Sequence, residues 1–320
     1  MKVIHISASA LAGAPGMLSD ALEAFGHAER SIHFRAGDYD LSRNITSPES
    51  IPLASKDRDR QFFEAVYADS DVVHIHNFAP QFLLNWIAEL GFGSRKFVYQ
   101  IHSPLLERPL FDALAEYHGI PFHHKLSIGH FHPRQNPSYE VVPNCLYRAR
   151  YSRPLTLQLR EGRLVVFYSP STAIKGRWTE KSNDAFQNAI QEIKINGRIQ
   201  LETFEKVSPQ TIASYRSMAD VTIDEVVTGS YHLVSYEGLA AGTAVVNGAD
   251  AFSLATFSMA FKSPTPPFLV TSPGKLPALL HELSIDRSRL AEIKRTSRDF
   301  FDTWMNPDRV ASIFGEIYAR

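Results

Sequence analysis

The sequence predicts an α/β protein built on parallel sheets, and three observations carry that reading. Short β-rich apolar runs recur along the chain and read as buried strands. They alternate with longer helical segments, the pattern of a parallel sheet covered on both faces. Glycine, proline and hydroxyl residues gather just after the strands, where such sheets bind ligands.

In chain order, Lys2 to Ser7 reads as the first strand. The loop Ala8 to Gly16 follows, with Gly13, Pro15 and Gly16, then a helix from Met17 to Phe25 and a strand from Ser31 to Arg35. Ala36 to Arg58 is polar and reads as a surface loop. A helix over Gln61 to Ala68, a strand over Asp71 to His76, a helix over Gln81 to Leu90 and a strand over Lys96 to Ile101 continue the alternation. Lys125 to Ile128 and Tyr139 to Val142 are short strands. The arginine-rich stretch from Cys145 to Gly162 breaks the pattern and reads as a linker. Beyond it come a strand at Leu164 to Tyr168, a helix at Trp178 to Glu192, a strand at Ile199 to Thr203 and a helix at Ser208 to Met218. Val221 to Ile223 is a strand, Tyr231 to Ala241 a helix closed by Gly242 as a C-cap, and Ala244 to Val246 a strand. Phe268 to Thr271 is a further strand, and Pro307 to Tyr318 is the last helix. The expected product is two Rossmann-like domains facing each other across a cleft: residues 1–150, residues 151–300, and a terminal helix in 301–320 that packs back on the first.

Composition narrows the function. The 320 residues are 44% hydrophobic and 21% charged, with a formal net charge of -1. That balance leaves no electrostatic footprint for nucleic acid. The single cysteine, Cys145, excludes an intrachain disulfide and fits a reducing compartment. No apolar run is long enough to span a bilayer. The expectation is a cytoplasmic protein, with a peripheral contact at the inner membrane face left open. The dinucleotide fingerprint G-x-G-x-x-G is absent around Gly13 and Gly16, which disfavours a nicotinamide enzyme.

Several pieces, in this order, resemble the GT-B glycosyltransferases of the large retaining group called family 4. They are HISASALAGAPGMLSDAL, DVVHIHNF, YQIHSP, VVPN, VVFYSPSTAIKG and ADVTIDEVVTGSYHLVSYEGLAAGTAVVNG. The resemblance implies a nucleotide-diphosphate sugar held on the second domain and an acceptor on the first. It makes Lys175 the lysine that contacts the donor diphosphate, and Glu237 the second acid of a pair, which binds the ribose. It puts the nucleobase near Val207 and brings His102, at a strand end, close to sugar or acceptor. Gly229 stands where the family has the first acid, which helps hold the donor sugar; Asp224 or Glu225 is the nearest carboxylate to replace it. His232 stands where the family commonly has glycine.

The residues themselves suggest how a diphosphate leaving group is held. No D-x-D metal signature stands in a plausible loop, so protein donors rather than a metal are expected to stabilise the developing charge. The helix N-terminus at Ser230, Tyr231, His232 and Leu233 favours an anion. Gly13 allows close approach, and the hydroxyls of Ser169, Ser171 and Thr172 read either as phosphate or sugar ligands or as local turn bonds. His74 and His76 alternate with Val73 and Ile75 and so share a face. A third metal ligand is not apparent beside them, and packing at a polar strand end is the plainer reading. Cys145 reads as a packing residue. Arg148, Arg150, Arg153, Arg160 and Arg163 are either a solubilising linker or a contact for an anionic acceptor or lipid surface.

The expected activity is transfer of a sugar from a nucleotide-diphosphate sugar to a hydroxyl of a glycan, lipid-linked or protein acceptor, with retention, without metal and with no other cofactor. The alternatives are a glycosyltransferase-like nucleotide-binding protein without activity, motivated by Gly229, and a nucleotide-sugar epimerase.

Overall fold

The structure, a computed structural model, describes residues 1–9, 11–36, 50–102, 119–130, 132–147, 162–169, 182–204, 207 and 209–320. The chain divides into two compact units, Met1–Tyr147 with Asn306–Arg320, and Arg148–Met305.

The first unit contains β1 (Lys2–Ser7), α1 (Ala14–Ala24), β2 (Arg30–Arg35), β3 (Ser50–Pro52), α2 (Asp57–Ala68), β4 (Val72–His76), α3 (Gln81–Leu90), β5 (Lys96–Ile101), β6 (Phe122–Ile128) and β7 (Glu140–Val142). The seven strands run in the order β3-β2-β1-β4-β5-β6-β7, and every pairing is parallel. Alternation along the strands gives the sheet two different faces. Ile4, Ile6, Val73, Ile75, Phe97 and Tyr99 share one apolar core with Phe63, Leu83, Trp86 and Ile87 of α2 and α3. The opposite face is polar. Register partners place His33, His5, His74 and Val98 in one row across four strands, and Arg35, Ser7, His76 and Gln100 in the next.

The last helix of the chain closes this unit. It buries Val310, Ala311, Phe314, Ile317 and Tyr318. Tyr318 Oη stands 2.7 Å from His74 Nδ1, and Lys96 Nζ donates to the carbonyls of Tyr318 and Ala319 at 3.0 Å each. A cation there complements the negative end of the helix dipole. Arg320 Nη2 then clamps both carboxylate oxygens of Glu140 at 2.7 and 2.9 Å.

Two sequence expectations need correction here. The loop expected over Ala36 to Arg58 holds an edge strand at Ser50–Pro52, and α2 starts at Asp57, with Asp57 and Asp59 in its first turn. Those acids suit the positive end of the helix, which outweighs their weak apolar periodicity. Cys145 and Leu146, expected in a linker, are buried. Burial pushes the Cys145 thiol up, so it should resist alkylation in the native protein. Labelling with iodoacetamide before and after urea unfolding checks this: modification should appear only after unfolding. Arg148, Arg150, Arg153 and Arg160 lie outside the described residues.

The second unit contains β8 (Leu164–Tyr168), α4 (Asp184–Ile195), β9 (Ile199–Thr203), α5 (Pro209–Ser217), β10 (Val221–Ile223), α6 (Leu233–Ala241), β11 (Ala244–Asn247), α7 (Ala251–Phe261), β12 (Leu269–Val270), α8 (Leu276–Ile285) and α9 (Arg287–Phe300); the last helix of the chain, α10, is Pro307–Ala319 in the first unit. The five strands run β12-β11-β10-β8-β9, again all parallel. Leu164, Val166, Val221, Ile223, Ala244 and Val246 pack with Phe186, Ile190 and Leu280 to form the core. Gly242 ends α6 in the left-handed region, φ 68°, as the sequence predicts.

One glycine sets how close α6 lies to the sheet. A Cβ at Gly238 would stand 2.7 Å from Val245 Cγ2 and 3.2 Å from Thr222 Cβ. Gly238→Ala should therefore lift α6 from β10 and β11 and destabilise the protein by about 1–3 kcal/mol, the usual cost of overpacking. A urea titration of the variant checks it. Among the described residues, no helix is long and apolar enough to cross a membrane.

Candidate functional site

In the second unit, the carboxyl ends of β8, β10 and β11 bring together residues far apart in sequence. Asp224 and Glu225 follow β10 directly and are both buried. Asp224 Oδ2 accepts the His232 N–H at 2.5 Å and the Ser235 hydroxyl at 2.8 Å, and Oδ1 lies 3.3 Å from His232 Nδ1. Asn247, at the end of β11, donates to Ser235 Oγ at 3.0 Å. This carboxylate therefore holds the start of α6, and the helix begins at Leu233 rather than Tyr231 because His232 is an extended N-cap residue. Among the described residues, the N–H groups of Leu233 and Val234 have no acceptor. Two donors on the positive end of a helix are thus available to an anion.

Glu225 holds its own turn. Its Oε2 accepts the N–H groups of Val227 and Thr228 at 2.8 and 2.9 Å, and Oε1 accepts the Thr228 hydroxyl at 2.5 Å. Both acids that the sequence offered in place of the missing one are thus engaged in shaping the loop. Ser230 and Tyr231 are fully buried, and Tyr231 packs against Tyr236, Phe257 and Phe268. The Tyr231 side chain belongs to the core.

The carboxylate that does stand beside Gly229 comes from a later loop. Gly229 has φ +77°, and a Cβ built on it would lie 3.2 Å from Asp250 Oδ2. Asp250 is exposed and caps α7, its Oδ1 accepting the Ser253 N–H at 2.9 Å. The Asp250 N–H and the Ser253 hydroxyl both donate to the Gly229 carbonyl, at 3.0 and 2.8 Å. The two loops also meet at Gly248, whose N–H donates to Glu225 O at 2.7 Å. A Cβ at Gly248 would fall 2.8 Å from the Val226 carbonyl carbon, so only glycine permits that approach.

Glu237 projects from α6 and ion-pairs with Arg216 of α5, Nη1 to Oε2 at 2.5 Å. The Arg216 side chain is only 2% exposed and its guanidinium lies 4.6 Å from the Phe167 ring centre. A carboxylate has about four acceptor positions, so one that holds an ion pair can serve further partners. Sequence reasoning missed Arg216 entirely. It also missed Asp250. Ser169 donates to Phe204 O at 3.2 Å and ties the ends of β8 and β9 together. Val207 is half-buried. Lys175, Ser171 and Thr172 lie outside the described residues.

The first unit carries the remaining candidates at the carboxyl ends of its own strands. Leu11, Ala12 and Gly13 have φ of 46, 55 and 84°, three left-handed residues in succession before α1. Non-glycine residues adopt that region only when their surroundings impose it. His102, just past β5, is held by Asn77, its N–H donating to Asn77 Oδ1 at 2.6 Å. Its Nε2 lies 2.9 Å from His76 Nδ1, and His76 Nε2 lies 3.0 Å from His5 Nδ1. On the far side, His33 bridges the hydroxyls of Ser7 and Ser50 at 2.8 and 2.7 Å. Burial pushes His33 and His102 down to about 3, and His5, His74 and His76 well below the ordinary histidine range. All five imidazoles are neutral at pH 7. A neutral His102 suits hydrogen bonding to a hydroxyl better than proton abstraction, which works best near the operating pH. His5 Nε2 and His74 Nε2 are buried with no hydrogen-bond partner among the described residues, each at a cost of about 1–3 kcal/mol.

No protein-family model matches the sequence, and no curated protein matches it. Solved structures do. HepE of Anabaena, solved with UDP and glucose, matches with a TM-score of 0.64 and 11% identity over 100% of this chain and 99% of that one. An alpha-glucosyltransferase solved with UDP-glucose and abasic-site DNA matches with a TM-score of 0.64 and 13% identity, over 100% of this chain and 99% of that one. Sucrose-phosphate synthase from Thermosynechococcus elongatus matches with a TM-score of 0.60 and 14% identity, over 100% of this chain and 98% of that one. At these identities the likeness is one of fold. Two parallel α/β units, with sheets of seven and five strands, give this chain the GT-B fold of the glycosyltransferases.

Proposed function

We propose that the chain transfers a sugar from a nucleotide-diphosphate sugar to an acceptor hydroxyl, with retention of anomeric configuration and without a metal at the diphosphate. The observation that carries the reading is the carboxyl edge of the second sheet. There the unpaired donors of Leu233 and Val234 suit a diphosphate, and Glu237 stands one helical turn further on to accept ribose hydroxyls. Lys175 adds a point charge to the diphosphate. The fold neighbours solved with UDP or UDP-glucose support a nucleotide donor of this kind.

Asp250 takes the part of the acid that Gly229 lacks. Its Oδ2 lies 3.2 Å from where a side chain at position 229 would begin, and its carboxylate accepts hydrogen bonds from sugar hydroxyls. Asn in its place keeps the cap of α7 and removes the charge. Asp250→Asn should therefore leave affinity for the nucleoside diphosphate alone within about threefold and weaken sugar-nucleotide use by about tenfold or more, the loss of one charge-assisted hydrogen bond. Calorimetry with the diphosphate and kinetics with the sugar nucleotide separate the two. Equal loss for both ligands would remove Asp250 from sugar recognition.

Gly229 favours one rival reading, a nucleotide-binding protein without activity. Purified protein tested against a panel of sugar nucleotides and glycan, lipid-linked, protein and DNA acceptors decides between them. Turnover abolished by Lys175→Ala and Glu237→Ala supports the transferase; tight binding with no turnover for any donor supports the rival.

A further inference from the structure

His74 and His76 share a strand face, and the strand order places β1 beside β4, so His5 is the register partner of His74. One ring nitrogen from each of the three lies within 4.8 Å of the others. The rings are stacked closely, with His74 and His76 centroids 4.0 Å apart and His5 and His76 centroids 5.3 Å apart. All three side chains are at most 1% exposed. Two nitrogens, His5 Nε2 and His74 Nε2, and the amide oxygen of Gln100, register partner of His76, are buried without a hydrogen-bond partner among the described residues. A cation accepts several nitrogen lone pairs at one point.

We propose that His5, His74 and His76 form a binding site for a borderline transition-metal ion of the Zn²⁺ class. Three neutral imidazoles with no thiolate among them select such an ion over Mg²⁺ or Ca²⁺, which prefer oxygen. Two of the three imidazoles have an outer partner on the second ring nitrogen: the Tyr318 hydroxyl stands at His74 Nδ1, and His102 Nε2 at His76 Nδ1. With metal on His76 Nε2, its Nδ1 carries the proton and donates to His102, which fixes the tautomer of His102. The ion is thus a structural and orienting element of the first unit, distinct from diphosphate binding in the second.

The test uses full-length protein without an affinity tag, stripped with EDTA, then incubated with Zn²⁺ or Co²⁺ and gel-filtered. One metal per chain, a raised melting temperature, and the intense visible bands of low-coordinate Co²⁺ are expected. His5→Gln and His74→Gln should each weaken binding at least tenfold, while the exposed His281→Gln leaves it unchanged. Should the variants fail to fold, the wild-type Co²⁺ spectrum still decides. Metal below a tenth of an atom per chain, a six-coordinate Co²⁺ spectrum, or full binding by both folded variants overturns the site.

Discussion

Arg216→Met should destabilise the protein by about 3–5 kcal/mol, the cost of removing one partner of a buried ion pair. The guanidinium is 2% exposed and the Glu237 carboxylate 11%, so the pair is largely shielded from water. Methionine keeps much of the contact with Phe167, which makes the loss mainly electrostatic. The second change is the decisive one. Arg216→Met with Glu237→Leu removes both charges and should recover most of the stability, because a buried pair replaced by apolar residues is often neutral. Donor binding should be lost in the double variant, which lacks Glu237. Urea titrations of wild type and the variants measure the cycle, and a cost under about 1 kcal/mol for Arg216→Met would show that the pair does not hold α5 to α6.

Acid is expected to have the other large effect, acting on the first unit. His33 titrates at about 3 in the folded protein against the ordinary 6.5. Between those values the unfolded chain binds a proton that the folded chain refuses. Stability contributed by neutral His33 is complete above pH 6.5 and is lost as pH falls towards 3. A shift of that size corresponds to about 5 kcal/mol at about 1.4 kcal/mol per unit. His102 shifts in the same direction and adds to the loss. Denaturant midpoints should be flat from about pH 7 to 8 and should drop steeply below about 6.5. His33→Gln, which can still bridge Ser7 and Ser50, should flatten that slope by about one proton. A midpoint unchanged down to about pH 5 would contradict the burial of these rings.

The strands and most helices are legible in the sequence because burial on two faces leaves continuous apolar runs, such as LVVFY in β8 and AVVN in β11. Gly242 is legible too, since a left-handed cap has one common solution. What stays hidden are pairings that depend on strand order and loop approach. His74 and His76 visibly share a face, but His5 joins them only because β1 lies next to β4. Arg216 and Glu237 sit on different helices, 21 residues apart. Asp250 reaches Gly229 only because Gly248 lets two loops touch. Each of these is a fact about backbone proximity, which periodicity does not encode.

Because α10 belongs to the unit that residues 1–147 build, that unit is interrupted in the chain by the whole of the other. Synthesis runs from the N-terminus, and domains generally fold as they emerge. Here the first-made sheet waits. His74, against which Phe314 and Tyr318 pack, lacks that cover until residues 306–320 leave the ribosome, while the second unit, continuous from 148 to 305, already has all its strands. The order of completion is therefore the reverse of the order of synthesis. A ribosome stalled once Met305 has emerged should display a protease-resistant second unit beside a first unit that is still readily cut.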